Sequence, residues 1–409
     1  MKYKVTRSPI YDFAGQSYAS SYPNLHKYPA SMLPQIGIEL FKELNIKSGI
    51  MLDPYCGSGS SFAVGIDRGI KDMYGFDINP LAVLISQAKF TKVDIETLLK
   101  TKQVLRSNIY EFIKDEKNLM NTKLPQFKNV GFWYSRDALL YLTILYYYIS
   151  EIKDENIKRL FLVPFSETSR DCSYTRNSEF KLFRIKEEDI LAFNPDVLGV
   201  YFQKLNKVLD NYTFYYYPKL QDSNVNISFK KFPKNDNFFD IVLTSPPYGD
   251  SRTTVAYGQF SHFGNEWMGV DARQIDNQLM GGKTVKENYK KGIISENINL
   301  IIKEDKKRAL EVSSFFFDLE KSIIDIAKSV KIGGKIIYIV GNRTVKGVQL
   351  PTDQFIAEKF EENNFKHIIT HERVISNKVM PSKNSPTNIK GSLQTTMINE
   401  YIVICEKWK

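Results

Sequence analysis

Short apolar runs bounded by polar turn residues alternate with amphipathic stretches towards both ends of the chain. Runs at residues 49–52, 73–76 and 240–243 predict buried strands, because each is short, apolar and flanked by turn residues. Amphipathic stretches at residues 31–44 and 61–68 predict helices between them. Strands that alternate with helices in this way indicate an α/β fold with a mainly parallel sheet.

The alternation lapses in the middle of the chain, where long helical patterns dominate, including residues 137–149 and 187–209. The alternation of strands and helices resumes with a strand predicted at residues 213–217. Further elements are predicted beyond the third apolar run, namely helices at residues 313–330 and 353–363 and strands at residues 335–340, 366–375 and 401–405. The last two strands have no helix between them, so we expect them to be antiparallel.

The pattern divides the chain into a discontinuous α/β domain and two insertions. Residues 1–94 and 212–409 form the α/β domain, although residues 1–30 look irregular. Residues 95–211 form a mostly helical insert. Residues 250–310, which are polar and rich in lysine, form a second insertion inside the α/β domain.

A glycine-rich segment, DPYCGSGS at residues 53–60, follows the first predicted strand and precedes a helix. This order opens a Rossmann-like unit, in which backbone N–H groups approach a ligand at the positive end of a helix. Because Asp53 would repel a pyrophosphate and attract an ammonium group, the implied cofactor carries a cationic end. Asp77 ends the second strand, where such folds hold ribose hydroxyls; capping of the next helix is a compatible role.

The third apolar run leads into TSPPY at residues 244–248. Its prolines end the strand and remove backbone donors, so the carbonyl groups of Ser245 and Pro246 have no local ladder to join. These carbonyls suit an exocyclic amino group, and Tyr248 offers a flat face to a planar ring. A base taken out of a duplex needs both features. By itself the motif is equally compatible with a simple strand end.

The composition indicates what kind of partner and which cell compartment to expect. Of the 409 residues, 43% are hydrophobic and 25% charged, and the formal net charge is +10. This is the composition of a globular protein, and the charge suits a polyanion. No apolar run is long enough to span a bilayer, and the N-terminus lacks an apolar signal core. Cys56, Cys172 and Cys405 form no metal-binding pattern, so we expect a cytoplasmic protein without structural zinc.

The two motifs, in this order and on these elements, resemble a known family. DPYCGSG at residues 53–59 is similar to the cofactor loop of S-adenosylmethionine-dependent DNA amino-methyltransferases. TSPPY resembles their catalytic motif in the form usual for cytosine-N4 enzymes. The resemblance extends to residues 26–35, 75–80 and 333–342, but not to the helical insert. It implies a Rossmann-like class I methyltransferase fold, with a mostly parallel seven-stranded sheet and a terminal antiparallel strand, and S-adenosylmethionine as the cofactor.

The resemblance also assigns roles to individual residues. Ser245 and Pro246 would accept hydrogen bonds from the target amino group, and Tyr248 would stack on the flipped base. Asp77 would take the ribose, and Asp222, at the expected tip of a third strand, the adenine. The implied catalytic residues are Ser245, Pro246, Pro247 and Tyr248, and the implied cofactor-binding residues are Tyr28, Pro29, Ala30, Asp53, Tyr55, Gly57, Ser58, Gly59, Asp77, Ile78, Asp222 and Thr244.

The implied activity is site-specific transfer of a methyl group to the N4 amino group of a flipped cytosine in double-stranded DNA. It belongs in a bacterial restriction-modification system, with a cognate restriction endonuclease as a candidate partner. Adenine-N6 methylation is the main alternative, followed by methylation of RNA or of a protein glutamine, and by a protein that only binds DNA. Cys56 is interpreted as a packing residue, since direct transfer requires no covalent intermediate.

Four segments either are candidates for DNA contact or lie beside the site. Residues 166–184, dense in Arg, Ser, Thr and Tyr, are either a solvated loop or a loop that contacts the DNA backbone. Residues 249–254 are expected to form a mobile loop. The helical insert at 95–211 and the basic insertion at 250–310 are both candidates for DNA recognition.

Overall fold

A computed structural model describes most of the chain. The described residues are 2–14, 21–29, 32–177, 180–229, 232, 236–251, 255–375, 383–384, 394–395 and 397–409. Ser31, the first residue of the helix predicted at residues 31–44, and Ala30, a predicted cofactor-binding residue, lie outside them.

Fifteen α-helices are found in the described residues. They are Pro34–Glu43 (α1), Ser60–Asp67 (α2), Pro80–Phe90 (α3), Ile95–Phe112 (α4), Glu116–Asn121 (α5), Val130–Trp133 (α6), Arg136–Ser150 (α7), Glu155–Asp171 (α8), Glu187–Ile190 (α9), Val197–Asn211 (α10), Tyr257–Trp267 (α11), Ala272–Gln278 (α12), Ser295–Glu304 (α13), Lys306–Ser329 (α14) and Thr352–Glu361 (α15). Among these helices, none is both long and apolar enough to cross a membrane.

Twelve strands accompany the helices in the same part of the chain. They are Val5–Arg7 (β1), Ile50–Asp53 (β2), Asp72–Asp77 (β3), Asn224–Phe229 (β4), Phe239–Thr244 (β5), Val330–Val340 (β6), Thr344–Val345 (β7), Val348–Gln349 (β8), Phe365–Val374 (β9), Lys383–Asn384 (β10), Gln394–Thr395 (β11) and Asn399–Lys407 (β12).

Eight of the strands form one sheet, in the order β1-β9-β12-β6-β5-β2-β3-β4. All neighbours are parallel except β12, which is antiparallel to both β6 and β9. The predicted class I methyltransferase fold is therefore confirmed, including its antiparallel C-terminal strand. The eighth strand, β1, adds to the sheet edge from the N-terminal segment that looked irregular in the sequence.

Two hydrophobic cores cover the two faces of this sheet. Side chains of a strand alternate between faces, so Ile402 and Ile404 of β12 join one core and Val403 and Cys405 join the other. The first core contains α1–α3 and the main helices of the insert, and the second contains α13–α15. The helical insert thus shares a continuous core with the sheet.

The helix boundaries follow from local caps and breakers. Pro80 starts α3, and the Asn79 side chain accepts a hydrogen bond from the Leu81 N–H at 3.2 Å. The long helix predicted at residues 187–209 is instead two helices. Pro195 disfavours helix at the residue before it, and Asp196 caps α10 through the Gly199 N–H.

The strand predicted at residues 213–217 is wrong. A π-helix, Tyr212–Tyr216, continues directly from α10, and a 3-10 helix, Tyr217–Lys219, follows it. Tyr212 and Tyr216 are both fully buried. Their four-residue spacing places both rings on the same helical face, and this packing overrides the strand preference of the aromatic run.

Candidate active site

A cavity of about 270 Å³ opens at the carboxyl ends of strands β2, β3 and β5. Ligands of open α/β sheets bind outside the carboxyl ends of the strands, next to the point where the strand order reverses. That reversal lies between β2 and β5, because the chain runs from β2 outwards to β3 and β4 and then returns to β5. The cavity therefore occupies the expected ligand position of this fold.

Asp53, the last residue of β2, is a buried carboxylate whose oxygens are well supplied with donors. Its Oδ1 accepts hydrogen bonds from the Tyr55 N–H at 3.1 Å and the Thr244 hydroxyl at 2.5 Å, and its Oδ2 accepts one from the Ser61 hydroxyl. Burial raises the pKa of Asp53 to about 6, although the hydroxyl and N–H donors oppose this rise. Asp53 also ties the cofactor-type loop to the start of the TSPPY motif.

Asp77, the last residue of β3, holds the glycine-rich loop against the next helix. Its Oδ2 accepts a hydrogen bond from the Gly57 N–H at 2.9 Å, and its Oδ1 accepts one from the Asn79 N–H at 2.8 Å. Desolvation raises its pKa to about 6, opposed by these backbone donors. Asp77 lines the cavity, so its carboxylate is available to hydroxyl donors of a ligand.

The glycines of the loop are required by its backbone and by close packing. Gly57 has φ +48° and Gly59 has φ +85°, a region that side chains disfavour. A Cβ on Gly59 would lie 2.6 Å from a ring carbon of Phe90. A Cβ on Gly57 would enter open space, with Tyr28 as its nearest neighbour at 3.9 Å, so a side chain there would occupy the cavity.

Aromatic rings form the side of the cavity nearest Asp77. Tyr28 and Tyr257 stack with their centroids 5.9 Å apart, and the Tyr28 hydroxyl accepts a hydrogen bond from Asn79 Nδ2 at 3.1 Å. Asn79 is buried, and it also donates to the Ser261 hydroxyl of α11 at 2.7 Å. The insertion at 250–310 therefore supplies part of the cavity wall.

The TSPPY motif brings Ser245 and Pro247 to the cavity. Ser245 Oγ lies 3.2 Å from the Tyr248 hydroxyl, which donates a hydrogen bond to Glu400 Oε1 at 3.0 Å. Glu400 belongs to β12. Because β12 is antiparallel, its first residues lie at the same edge as the ends of the parallel strands.

Nine of the predicted site residues line the cavity together: Tyr28, Asp53, Tyr55, Gly57, Ser58, Asp77, Ile78, Ser245 and Pro247. Four others, Pro29, Gly59, Pro246 and Tyr248, adjoin these residues in the chain, and Thr244 contacts the site through Asp53. The structure thus gathers both motifs around one cavity.

Asp222 is not at this edge, and the expectation that it ends a strand is wrong. It lies in an exposed turn before β4, and Asn224 of β4 pairs with Asp72, the first residue of β3. Asp222 therefore lies near the amino ends of the parallel strands, whereas Asp77 lies at their carboxyl ends. The residue at the corresponding end of β4 is Phe229, which pairs with Asp77.

Several lining residues were missed by reasoning from the sequence, namely Gln278, Leu279, Met280, Tyr257 and Asp318. Asp318 lies on α14, where it accepts a hydrogen bond from the Gly281 N–H at 2.9 Å, and burial raises its pKa. An acid directly after three phenylalanines on a helix is a signal that could have identified it. The other four lie in the polar insertion and had no such signal.

The mobile loop predicted after Tyr248 is wrong for its first residues. Asp250 is 1% exposed, and its Oδ2 accepts hydrogen bonds from Arg308 at 2.8 Å and Arg343 at 2.9 Å. The Ser251 N–H donates to the Met280 carbonyl at 3.2 Å. Residues 252–254 lie outside the described part.

The solvated-loop interpretation of residues 166–184 also fails for its first part. Residues up to Asp171 belong to α8, and the buried Arg170 places its guanidinium 5.0 Å from the centroid of the Phe260 ring. Across the described part of the chain, no group of three or more His, Cys, Asp or Glu side chains is arranged to hold a metal ion.

The sheet order, the glycine-rich turn after β2 and the acid at the end of β3 define a class I methyltransferase. The chain is 38% identical, over 416 aligned positions, to the type II methyltransferase M.MvaI of Kocuria varians, and the alignment covers 94% of this chain and 90% of that protein. The chain belongs to the family of type II methyltransferases.

Other similarities are more local or structural. The type II methyltransferase M.MjaII of Methanocaldococcus jannaschii is 33% identical over 92 residues, which is 22% of this chain and 17% of that protein. Among solved structures, the rRNA methyltransferase aviRa of Streptomyces viridochromogenes is 11% identical, with a TM-score of 0.33 and coverage of 97% of this chain and 96% of its own. No family model matches the chain.

Proposed function

We propose that this protein transfers a methyl group from S-adenosylmethionine to the N4 amino group of cytosine in double-stranded DNA, as the modification enzyme of a restriction-modification system. The observation that carries the proposal is the single cavity shared by the Asp53–Asp77 edge and the Ser245–Pro247 turn. A cofactor-type loop and an amino-group acceptor therefore face the same space.

The residues on the first side of the cavity fit S-adenosylmethionine. Asp77 offers carboxylate oxygens to ribose hydroxyls, and the missing side chain of Gly57 leaves the space that a ligand would fill. Asp53 and Asp318 add negative charge for a cationic ligand. The Phe76 ring packs edge-on against Phe232, with centroids 6.0 Å apart, and lines the cavity where a planar adenine would lie.

S-adenosylmethionine supplies an electrophilic methyl group on a sulfonium sulfur. The acceptor is a poor nucleophile, because its lone pair is conjugated with the base. Hydrogen bonds from its N–H groups to Ser245 Oγ and to the Pro246 carbonyl oxygen would draw the nitrogen towards tetrahedral geometry and free that lone pair. Positioning and electrostatic stabilisation would then provide most of the catalysis.

Ser245 favours cytosine over adenine as the target, since adenine-N6 enzymes more often carry Asp or Asn at this position. Tyr248 is proposed to stack on the flipped base, with Gly341 behind its ring; a Cβ on Gly341 would lie 2.9 Å from Tyr248 Cδ2. The absence of a side chain at Gly341 thus allows the ring its position.

We assign phosphate contacts to the insertion at 250–310. Its apolar residues Ile294, Ile298 and Ile301 are fully buried, so the segment is anchored. Its exposed side chains include Lys283, Lys286, Lys290 and Lys291. A lysine-rich segment that also forms the wall of the cavity suits a DNA backbone passing over the site. We therefore propose that the helical insert at 95–211 recognises the DNA sequence.

The test is transfer of radioactive methyl from labelled S-adenosylmethionine to plasmid DNA, with Ser245→Ala as the comparison. We expect label in DNA with the wild-type protein and a strongly reduced rate with the variant. Label in RNA or protein but not in DNA would overturn the proposed substrate.

A further inference from the structure

We infer that Glu400 is a positioning residue for the methyl transfer, because it sets the direction of the hydrogen bonds that run through Tyr248 to Ser245. The inference rests on the proposed function. It gives Tyr248 a second role, carried by its hydroxyl, that is separate from ring stacking.

Ser245, Tyr248 and Glu400 are linked by hydrogen bonds between their side chains, and Glu400 also forms an ion pair. Ser245 Oγ lies 3.2 Å from the Tyr248 hydroxyl, and this hydroxyl lies 3.0 Å from Glu400 Oε1. The other carboxylate oxygen, Oε2, accepts a hydrogen bond from Arg373 Nε at 2.7 Å. Arg373 is 4% exposed, and its Nη1 donates to the Tyr11 carbonyl at 2.7 Å. Glu400 is therefore held in place from the side opposite Tyr248.

The number of available protons fixes which group donates in each of these two hydrogen bonds. An ionised carboxylate only accepts hydrogen bonds, and a hydroxyl has one proton to donate. Since Tyr248 gives its proton to Glu400, the bond between Ser245 and Tyr248 must be donated by Ser245. The Ser245 oxygen then keeps lone pairs for another donor, while its own proton points away from the cavity.

This direction matters for the amino group of a base, which presents N–H donors. With Glu400 in place, Ser245 acts as an acceptor, as a carboxylate or an amide oxygen would. If Tyr248 donated to Ser245 instead, the Ser245 proton would be free to point at the incoming N–H groups, and two donors would face each other. Glu400 thus allows a serine to serve as the acceptor.

Tyr248→Phe and Glu400→Gln separate this role from stacking and from stability. Phenylalanine keeps the ring and leaves the Glu400–Arg373 ion pair intact. Glutamine keeps the size of Glu400 but adds an N–H₂ donor, so the direction of the hydrogen bonds is no longer imposed. Loss of one charge-assisted hydrogen bond predicts that each variant lowers kcat by roughly 10- to 100-fold, with KM for DNA nearly unchanged.

The decisive measurement is the double-mutant cycle, with kcat measured at saturating S-adenosylmethionine and DNA. Without the Tyr248 hydroxyl, Glu400 has nothing to orient, so the double variant should be no slower than Tyr248→Phe alone. Glu406→Gln is the matched control, because Glu406 lies on the same strand and pairs with Lys335 at 3.0 Å, away from the site. We expect that control to keep wild-type kcat.

Independent, multiplying losses in the double variant would overturn the inference, as would wild-type kcat in Tyr248→Phe. Tyr248→Phe can still overturn the inference if Glu400→Gln does not fold, because a hydroxyl that does not affect kcat leaves Glu400 nothing to orient. Absence of any methyl transfer to DNA by the wild-type protein would instead overturn the proposed function. The two failures are therefore distinguishable.

Discussion

Substitution of Asp77 by asparagine is the sharpest test of the cofactor side of the cavity. Asp77 accepts hydrogen bonds from the Gly57 and Asn79 N–H groups at 2.9 and 2.8 Å. Asparagine keeps the shape but offers only one acceptor oxygen, and its amide N–H₂ would face a backbone donor. The substitution also removes the charge proposed to bind the ribose hydroxyls.

The expected loss follows from these contacts. A hydrogen bond to a charged group contributes about 1.5–3 kcal/mol. Loss of one such bond to the cofactor corresponds to a Kd for S-adenosylmethionine that is roughly 10- to 150-fold weaker. Isothermal titration calorimetry measures this directly. Asp72→Asn, at the other end of β3, is the matched control, because the Asp72 side chain forms just one hydrogen bond among the described residues, with the Asn224 side chain at 3.1 Å.

The same carboxylates predict a pH dependence with a definite sign. Burial raises the pKa of both Asp53 and Asp77 to about 6. These groups therefore favour the folded apoprotein at low pH, and this contribution is lost as the pH rises from about 4 to about 6. A cationic ligand that donates hydrogen bonds favours the ionised forms, so its affinity should rise through pH 6 with release of protons.

Calorimetry in two buffers of different ionisation enthalpy counts those protons. We expect proton release near pH 6 with the wild-type protein, and less release with Asp77→Asn. An unchanged Kd for Asp77→Asn, or an affinity that does not vary between pH 5 and pH 7, would contradict the proposed role of these carboxylates in cofactor binding.

Three further substitutions test other parts of the account. Tyr248→Ala removes a stacking surface worth about 1–3 kcal/mol and should lower turnover far more than cofactor affinity; normal methylation by this variant would exclude the stacking role. Gly59→Ala places a Cβ 2.6 Å from Phe90 at φ +85°, and we expect weaker S-adenosylmethionine binding and a lower Tm, whereas wild-type values of both would be inconsistent with the packing described. Asp222→Ala should leave cofactor affinity unchanged, since Asp222 lies near the amino ends of the parallel strands; a large loss would contradict that placement.

The fold was predictable because its signals are local. Each strand of the parallel sheet on either side of Asp53 is a short apolar run, and the glycine-rich turn after β2 identifies the ligand edge. Asp53, Asp77 and Ser245 each end or directly follow a strand, so the parallel topology alone brings them together. The positions of these three residues required no knowledge of distant contacts.

The errors arose where tertiary packing decides the local structure. The aromatic run at residues 213–217 has strand propensity, but burial of Tyr212 and Tyr216 keeps it helical. That error moved the expected third strand and misplaced Asp222. In the same way, Glu400 reaches Tyr248 only because β12 inserts antiparallel between β6 and β9. A contact between residues 152 positions apart has no local signature.

The insertion at 250–310 shows a different limit of sequence reasoning. Its polar, lysine-rich composition predicts an exposed segment, and several of its lysines are exposed. Yet Tyr257 stacks on Tyr28, and Leu279 and Met280 line the cavity. Ile294, Ile298 and Ile301 recur at the spacing of a buried helix face, but nothing in the local sequence places Tyr257, Leu279 and Met280 at the cavity.

Mass spectrometry of nucleosides identifies the methylated base directly. DNA would be incubated with the protein and isotopically labelled S-adenosylmethionine, digested to nucleosides and compared with standards. We expect labelled N4-methylcytosine. Labelled N6-methyladenine would keep the site and its chemistry but contradict the use of Ser245 to select cytosine, and an absence of label in every DNA nucleoside would contradict the proposed function.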